Sequence, residues 1–166
     1  MKNRISREQA ETVIRRRADM IFRLACSLMK NRHDAMDAFQ DVALKYIAAS
    51  PLFNGDEHEK AWFIRTTVNT CKSFWRRVGR SGQILMDDYI DKYGEISDTD
   101  KNDFELLDAI FRLPLKIRVA IFLHYYEGYS VRETADILCA GESAIKSRLA
   151  RGRKKLAVIL GSSEGL

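Results

Sequence analysis

"SVRETADILCAGESAIKSRLARGRKKL", residues 130–156, decides the fold. Ser130 with Glu133 three positions later forms a capping box, which satisfies free N–H groups at a helix start. Ala135 and Leu138 face inward on the helix it opens, and "CAG" at 139–141 makes a tight turn. Beyond the turn, Ile145, Leu149, Gly152 and Leu156 recur at helical spacing as one stripe that can pack. Six cations crowd the last eleven residues of the stretch, with only Glu142 near them to oppose. The pattern predicts a helix-turn-helix: a supporting helix, a short turn and a basic reading helix. With the stripe turned inward, Ser143, Lys146, Ser147, Ala150, Arg151 and Lys154 lie toward the outside. Short residues near the N-terminus allow close approach to base edges, while Lys and Arg further along reach phosphates. Gly152 lets the helix sit close to its support. A hairpin in a plain bundle shares the periodicity but not this distribution of charge.

Working outward, helical periodicity dominates a chain of 166 residues with only two prolines. Ile21, Leu24, Ala25, Leu28 and Met29 recur at three and four, as do Phe39, Val42, Ala43, Tyr46 and Ile47. "KNRHD" between them reads as a polar turn, with Asp34 as N-cap of the second helix. That helix should stop near "ASP", because the residue before a proline is biased away from helix. "LFNGDEHEK" reads as a loop turning at Gly55, and a third helix is predicted over 61–77. Phe104, Leu107, Ile110 and Phe111 mark a short helix, and Pro114 opens another that ends at Gly128.

Charge divides the chain in the same way. Residues 1–77 carry net +6, residues 78–103 net −4 and residues 104–166 net +3. Two basic blocks joined by an acidic segment suggest two nucleic-acid-facing modules on a tether. The expected architecture is therefore all-α: two small helical domains, 1–77 and 104–166, joined by an acidic flexible linker, 78–103. Apolar residues in that linker (Ile84, Leu85, Met86, Tyr89 and Ile90) suggest that it docks in a groove. No apolar run approaches the roughly 20 residues of a membrane span, and the polar start "MKNRISREQAET" lacks a signal-peptide core. A cytoplasmic location is expected by elimination. Three scattered cysteines and three scattered histidines give no metal-ligand or disulfide framework, and no metal, cofactor or small-molecule substrate is expected.

Two further constellations precede the helix-turn-helix. In "AWFIRTTVNTCKSFWRR" (61–77), Trp62, Phe63, Phe74 and Trp75 alternate with Arg65, Lys72, Arg76 and Arg77. Aromatics beside cations suit single-stranded DNA, because bases stack on rings while cations follow the backbone; some of these rings must nonetheless be core. In "DAMDAFQDVALKY" (34–46), Asp37, Gln40, Asp41, Leu44 and Lys45 form the open face of an amphipathic helix.

Taken in order, these stretches resemble the extracytoplasmic-function (ECF) sigma factors, compact members of the sigma-70 family of bacterial RNA polymerase. "DAMDAFQDV" is similar to that family's A-x-D-x-x-Q-[DE]-V helix, and "AWFIRTTVNTCKSFWRR" to its A-W-[LF]-x₅-N-x₆-R-[RK] segment. "ETADILCAGESAIKSRLARGRKKL" is similar to its final helix-turn-helix. The resemblance covers residues 21–160 and implies a function without catalysis: promoter-specific initiation in an extracytoplasmic stress or envelope response. It implies that Asp37, Gln40, Asp41, Leu44 and Lys45 meet the clamp helices of the polymerase core. Phe53, Asn54, Lys60, Arg65, Thr66, Asn69, Lys72, Ser73, Arg76 and Arg77 would recognise and melt the minus-ten element, with Asn69 near a flipped base. Ser130, Glu142, Ser143, Lys146, Ser147, Arg148, Arg151, Arg153 and Lys154 would bind the minus-thirty-five element, and the same domain would meet the polymerase flap. An anti-sigma factor, often membrane-anchored, is the implied inhibitor.

The sequence departs from the family pattern at the turn, where Cys139 replaces a common glycine and Gly141 a common Ser or Thr. Because a left-handed residue disfavours a Cβ, the turn is expected to shift toward Gly141. Ala144 replaces a frequent threonine, and Met36 and Ala43 replace a common acid and aromatic. The rival readings are a stand-alone helix-turn-helix regulator acting without polymerase and a helical adaptor. The first leaves residues 34–77 unexplained, the second the basic reading face.

Overall fold

The computed structural model describes residues 4–29, 31–78 and 101–164, and every regular element among them is a helix. The helices are α1 (Arg7–Leu28), α2 (Arg32–Ala49), α3 (Asp56–Val78), α4 (Lys101–Phe111), α5 (Leu115–Ile121), α6 (Val131–Leu138) and α7 (Glu142–Glu164). Phe122–Tyr126 continues α5 as a π-turn, in which Glu127 N–H reaches back to the Phe122 carbonyl. None of these helices is long and apolar enough to cross a membrane. The linker expected over 78–103 falls largely outside the described residues, as do the apolar side chains read in it. Its edges are helical: α3 runs to Val78, and α4 begins at Lys101.

The helix starts have local causes, and those of α2 and α3 differ from expectation. Helix α1 opens on a capping box, with Ser6 Oγ accepting from Gln9 N–H and Gln9 Oε1 from Ser6 N–H. Helix α2 is capped by Asn31, not Asp34: Asn31 Oδ1 accepts from Asp34 N–H at 2.7 Å. Helix α3 starts five residues before the expected 61, so the loop is confined to 50–55. Asp56, Glu57 and Glu59 occupy its first turn, where carboxylates complement the positive end of the helix dipole. Gly55, at φ 123°, provides the reversal. Helix α2 stops before Pro51 as expected, with Ser50 left-handed.

Helices α1–α3 enclose one core of residues such as Ile21, Leu24, Val42, Phe63, Ile64 and Val68. Trp75 belongs to this half, and its indole N–H donates to the Leu28 carbonyl at 2.8 Å. An ion network centred on the buried Arg17 and Glu59 ties α1 to the start of α3. Glu59 accepts from both Arg16 and Arg17, and Arg17 also pairs with Asp56. The second core joins α5, α6 and α7 through Leu113, Ile117, Ala120, Ile121, Ala135, Ile145 and Leu149. The inward stripe read on 145–156 is the one observed: Ile145, Leu149 and Gly152 are buried and Leu156 is half-buried. Gly152 is in close contact, since a Cβ there would fall 2.8 Å from Ile121 Cδ1.

The two halves pack on each other. Val119, Phe122 and Leu123, together with Ile137 of α6, are buried in the core of the first three helices. Helix α1 contacts α5, and α3 contacts α6.

Candidate nucleic-acid interfaces

The helix-turn-helix forms as local chemistry dictates. Ser130 Oγ accepts from Glu133 N–H at 3.0 Å, and Glu133 Oε1 accepts from Ser130 N–H at 3.3 Å. The Ser130 hydroxyl is thus engaged in the cap of α6. The turn is not shifted: Cys139 itself takes the left-handed conformation, at φ 52° and ψ 45°, and Gly141 does not. The Ala140 N–H reaches back to the Ala135 carbonyl at 2.9 Å. That six-residue closure is a Schellman motif, and it requires the left-handed residue at 139 whatever its side chain.

On α7, Glu142, Ser143, Lys146, Ser147, Arg151 and Lys154 are all exposed, so small residues lie near the N-terminus and cations beyond. Arg153 leans to one flank, where Nη1 donates to Tyr125 Oη at 2.9 Å. Arg148 is half-buried and acts electrostatically on Lys72 of α3.

On α3, Arg65, Asn69, Ser73 and Arg76 are exposed and Lys72 is half-buried. Their spacing of three and four places them in one stripe along the helix. Arg77 is exposed beside it; Thr66 is half-buried, and its carbonyl accepts from the Thr70 hydroxyl. Of the four aromatics read as a stacking platform, Phe63 and Trp75 are core residues, and Trp62 and Phe74 are half-buried. They fall on the inward stripe that the open cationic stripe implies. Phe53 anchors the loop: it lies parallel to Tyr46 at 6.3 Å and edge-on to Trp62 at 6.0 Å. Asn54 is exposed, with its N–H donating to His58 Nδ1. Lys60 is half-buried within 4 Å of Asp56 and Glu57.

The open face of α2 is as expected from its pattern: Asp37, Gln40, Asp41, Leu44 and Lys45 are all exposed, Leu44 by 64%. Lys45 Nζ reaches Thr70 Oγ1 at 2.8 Å. Asp37, Gln40 and Asp41 also line a cavity of about 280 Å³ with Thr70, Phe74 and Arg77. Among the described residues, the side chains that could converge on a cation are His33, Asp34 and Asp37, on the first turns of α2. They are spaced along one helix, with His33 and Asp37 exposed and Asp34 half-buried, and Asp34 and Asp37 belong to the lining of that same cavity.

Contacts between the halves involve these same faces. Arg65 Nε donates to the Ile137 carbonyl at 2.9 Å, and Nη2 to the Asp136 carbonyl at 3.2 Å. The last carbonyls of a helix lack intrahelical partners and carry its negative pole, so a guanidinium suits them. Arg23 Nη2 lies 3.4 Å from Glu127 Oε1. Lys72 is pulled below the usual lysine range, first by burial and then by Lys116, Arg148 and Arg76. Cations from both halves therefore share one region. Sequence reasoning missed this packing; the only local trace is a second apolar stripe on 115–123.

The sequence profile of Sigma-70 region 2 matches residues 13–81, and that of Sigma-70, region 4 matches residues 103–156. The ECF RNA polymerase sigma factor SigM of Mycobacterium tuberculosis is 30% identical, across 91% of this chain and 76% of its own. The RNA polymerase sigma factor SigV of Bacillus subtilis is 27% identical, across 84% and 83%. Two solved structures share the fold. The sigma factor RpoE of Bartonella quintana, in complex with the anti-sigma factor NepR, aligns with a TM-score of 0.65 at 24% identity, over 93% of this chain and 95% of its own. CnrH, in complex with the cytosolic domain of CnrY, aligns with a TM-score of 0.68 at 20% identity, over 95% and 90%.

Proposed function

Since the chain belongs to the ECF RNA polymerase sigma factors of the sigma-70 family, we propose the following division of labour within it. The chain directs promoter-specific initiation by bacterial RNA polymerase and performs no catalysis of its own. Residues 1–77 act as region 2. The open face of α2, from Asp37 to Lys45, docks on the clamp helices of the core enzyme. The stripe Arg65, Asn69, Lys72, Ser73 and Arg76, with the loop around Phe53 and Asn54, holds the melted minus-ten strand. Base extrusion costs a few kcal/mol, and cationic contacts to the strand offset it. Residues 104–166 act as region 4, with α7 in the major groove of the minus-thirty-five element and the domain against the polymerase flap. The chain works in the cytoplasm, in an envelope-stress type of response, under an anti-sigma factor, as the structural neighbour RpoE is bound by the anti-sigma factor NepR.

What supports this reading most is one combination. A single chain carries an open cationic stripe centred on an asparagine and a separate reading helix whose outer edge is small and cationic. A stand-alone operator-binding regulator needs only the second. Reconstituted transcription with bacterial core polymerase tests the reading: the chain should bind core and direct initiation, whereas binding duplex DNA without core would favour the regulator. Gln40→Lys or Asp41→Lys should weaken core binding by about tenfold, ~1.4 kcal/mol, because like charge is brought to a charge-complementary interface. Thermal stability should be retained, since both side chains are exposed. A matching loss of fold would make that face structural.

A further inference from the structure

Helix α5 widens at its end into the π-turn of Phe122–Tyr126, closed by Glu127 N–H on the Phe122 carbonyl at 3.1 Å. Such turns are rare in helices and gather at functional sites. This one is braced from several sides. Phe122, buried beneath it, stacks on Tyr126 with ring centroids 5.6 Å apart, and Tyr129 N–H donates to the Leu123 carbonyl. His124 Nδ1 lies 2.7 Å from the Tyr129 carbonyl oxygen, and because that oxygen only accepts, Nδ1 carries the proton. The His124 ring in turn stands edge-on to Tyr125, with 4.9 Å between centroids.

What this frame holds toward solvent is the phenol of Tyr125, 52% exposed. Its oxygen accepts from Arg153 Nη1 of α7 at 2.9 Å. A phenol that accepts keeps its own proton to donate, and a guanidinium that gives one N–H keeps the rest. Arg153 is exposed as well, so the pair presents two adjacent donors, one of them charged. Donors of that kind suit an oxyanion, and their position says which. Arg153 lies seven residues beyond Lys146, about two turns, so both exposed side chains share one flank of α7. A helix about 10–12 Å wide fills a major groove about 12 Å wide. When Ser143, Ser147 and Ala150 face the bases, the flank of Lys146 and Arg153 therefore faces the phosphates.

The geometry points to Tyr125 as a phosphate ligand: with Arg153 it clamps one phosphodiester of duplex DNA beside the reading helix, the phenol O–H and the guanidinium each donating to its non-bridging oxygens. The contact comes from outside the helix-turn-helix. Backbone contacts fix register and orientation, so a clamp built from two elements sets the angle at which α7 enters the groove. This rests on α7 being a major-groove helix, as the proposed function has it.

The probe is a short duplex that the wild-type full chain, alone or with core polymerase, selects from a random pool. Tyr125→Phe removes the hydroxyl and keeps the ring against His124, so thermal stability should hold while the duplex is bound about fivefold more weakly. Salt separates the partners: Arg153→Gln should reduce the slope of log affinity against log salt by about 0.9, and Tyr125→Phe should leave it unchanged. Methylphosphonate substitution, one linkage at a time, should find a linkage whose neutralisation weakens wild type but not the Tyr125→Phe, Arg153→Gln double variant. In the Arg153→Gln background, Tyr125→Phe should still weaken binding by about twofold. No further loss there would reduce Tyr125 to a support for Arg153 and overturn the proposal. Wild-type affinity of Tyr125→Phe, the lack of any such linkage, or a wild-type chain that selects no duplex would overturn it too. A chain that binds through the clamp yet fails to direct initiation with core polymerase would count against the sigma reading, and the clamp would stand.

Discussion

Replacing Gly152 by alanine sets two effects of known size against each other. In a free helix the change is favourable by about 0.8–1.0 kcal/mol, because glycine loses the most backbone entropy on becoming helical. At Gly152, however, the added Cβ would fall 2.8 Å from Ile121 Cδ1, 2.9 Å from Ile121 Cγ1 and 3.0 Å from Ile117 Cγ2. The Cδ1 methyl can swing aside. The other two carbons hang on β-branched stems with one preferred rotamer in a helix, so α7 must lift from α5. Overpacking of this kind costs about 1–3 kcal/mol. Gly152→Ala should therefore destabilise by about 1 kcal/mol net and lower Tm by about 2–4 °C. Gly161 is the internal control: it lies on the same helix with nothing within 4 Å of a built Cβ. Alanine there should stabilise by about a few tenths of a kcal/mol, reduced because the helix end is near. Denaturant unfolding of the two variants and wild type isolates the steric contribution. If Gly152→Ala stabilised as much as Gly161→Ala, the close crossing of α7 on α5 would be refuted. The displaced helix should also lose affinity for minus-thirty-five duplex, which fluorescence anisotropy would read.

Other perturbations address the turn, the cap and the acid limb. Cys139→Gly should stabilise by about 0.5–1 kcal/mol, since a left-handed residue with a Cβ is strained by about 1–2 kcal/mol and part of that gain is returned to the freer unfolded chain; unchanged denaturant midpoints would contradict the strain. Ser130→Ala should destabilise by about 1 kcal/mol by leaving the α6 start uncapped, and Ser130→Gly by less, a ranking that thermal melts can check. Asp56 is held below its ordinary 3.8, chiefly by the hydrogen bond from Arg17. Its contribution is thus fully present above pH 3.8 and lost as pH falls through the lower folded value. Asp56→Asn should flatten stability below pH 3.8 in an acid titration, and a curve parallel to wild type there would remove the pair from the acid response.

The elements legible in the sequence were those whose causes are local. Ser130 and Glu133 are three residues apart and reach each other within one helical turn, so the start of α6 was readable from spacing alone. The stripe of Ile145, Leu149 and Gly152 was readable for the same reason, and with it the exposed edge of α7. The exposure of Asp37, Gln40 and Asp41 followed from the opposite face of α2 being apolar. Other local signals were present but not used: Ser6 with Gln9 before α1, and three carboxylates at Asp56, Glu57 and Glu59, which favour a helix N-terminus over a loop. Asn31 took the cap from Asp34 because its side-chain oxygen reaches Asp34 N–H, and spacing alone does not decide between two capable residues. At Cys139 one local rule overrides another. The Schellman closure from Ala140 to Ala135 dictates a left-handed residue at 139, and the chain accepts the strain instead of moving the turn to Gly141.

By itself, then, the sequence determined an all-helical chain, a reading helix with its faces assigned, and two basic blocks separated by an acidic one. These follow from periodicity, capping and charge, which act over a few residues and need no knowledge of what lies across the molecule. Only the tertiary structure decided that Val119, Phe122, Leu123 and Ile137 pack with α1–α3 rather than within their own half. Only it decided that Arg65 bonds the end of α6, 71 and 72 residues further along the chain. An apolar stripe states that a face must be covered; the hydrophobic effect is non-directional and does not name the partner. That choice is made by the shapes and the paired polar groups that meet when the chain closes.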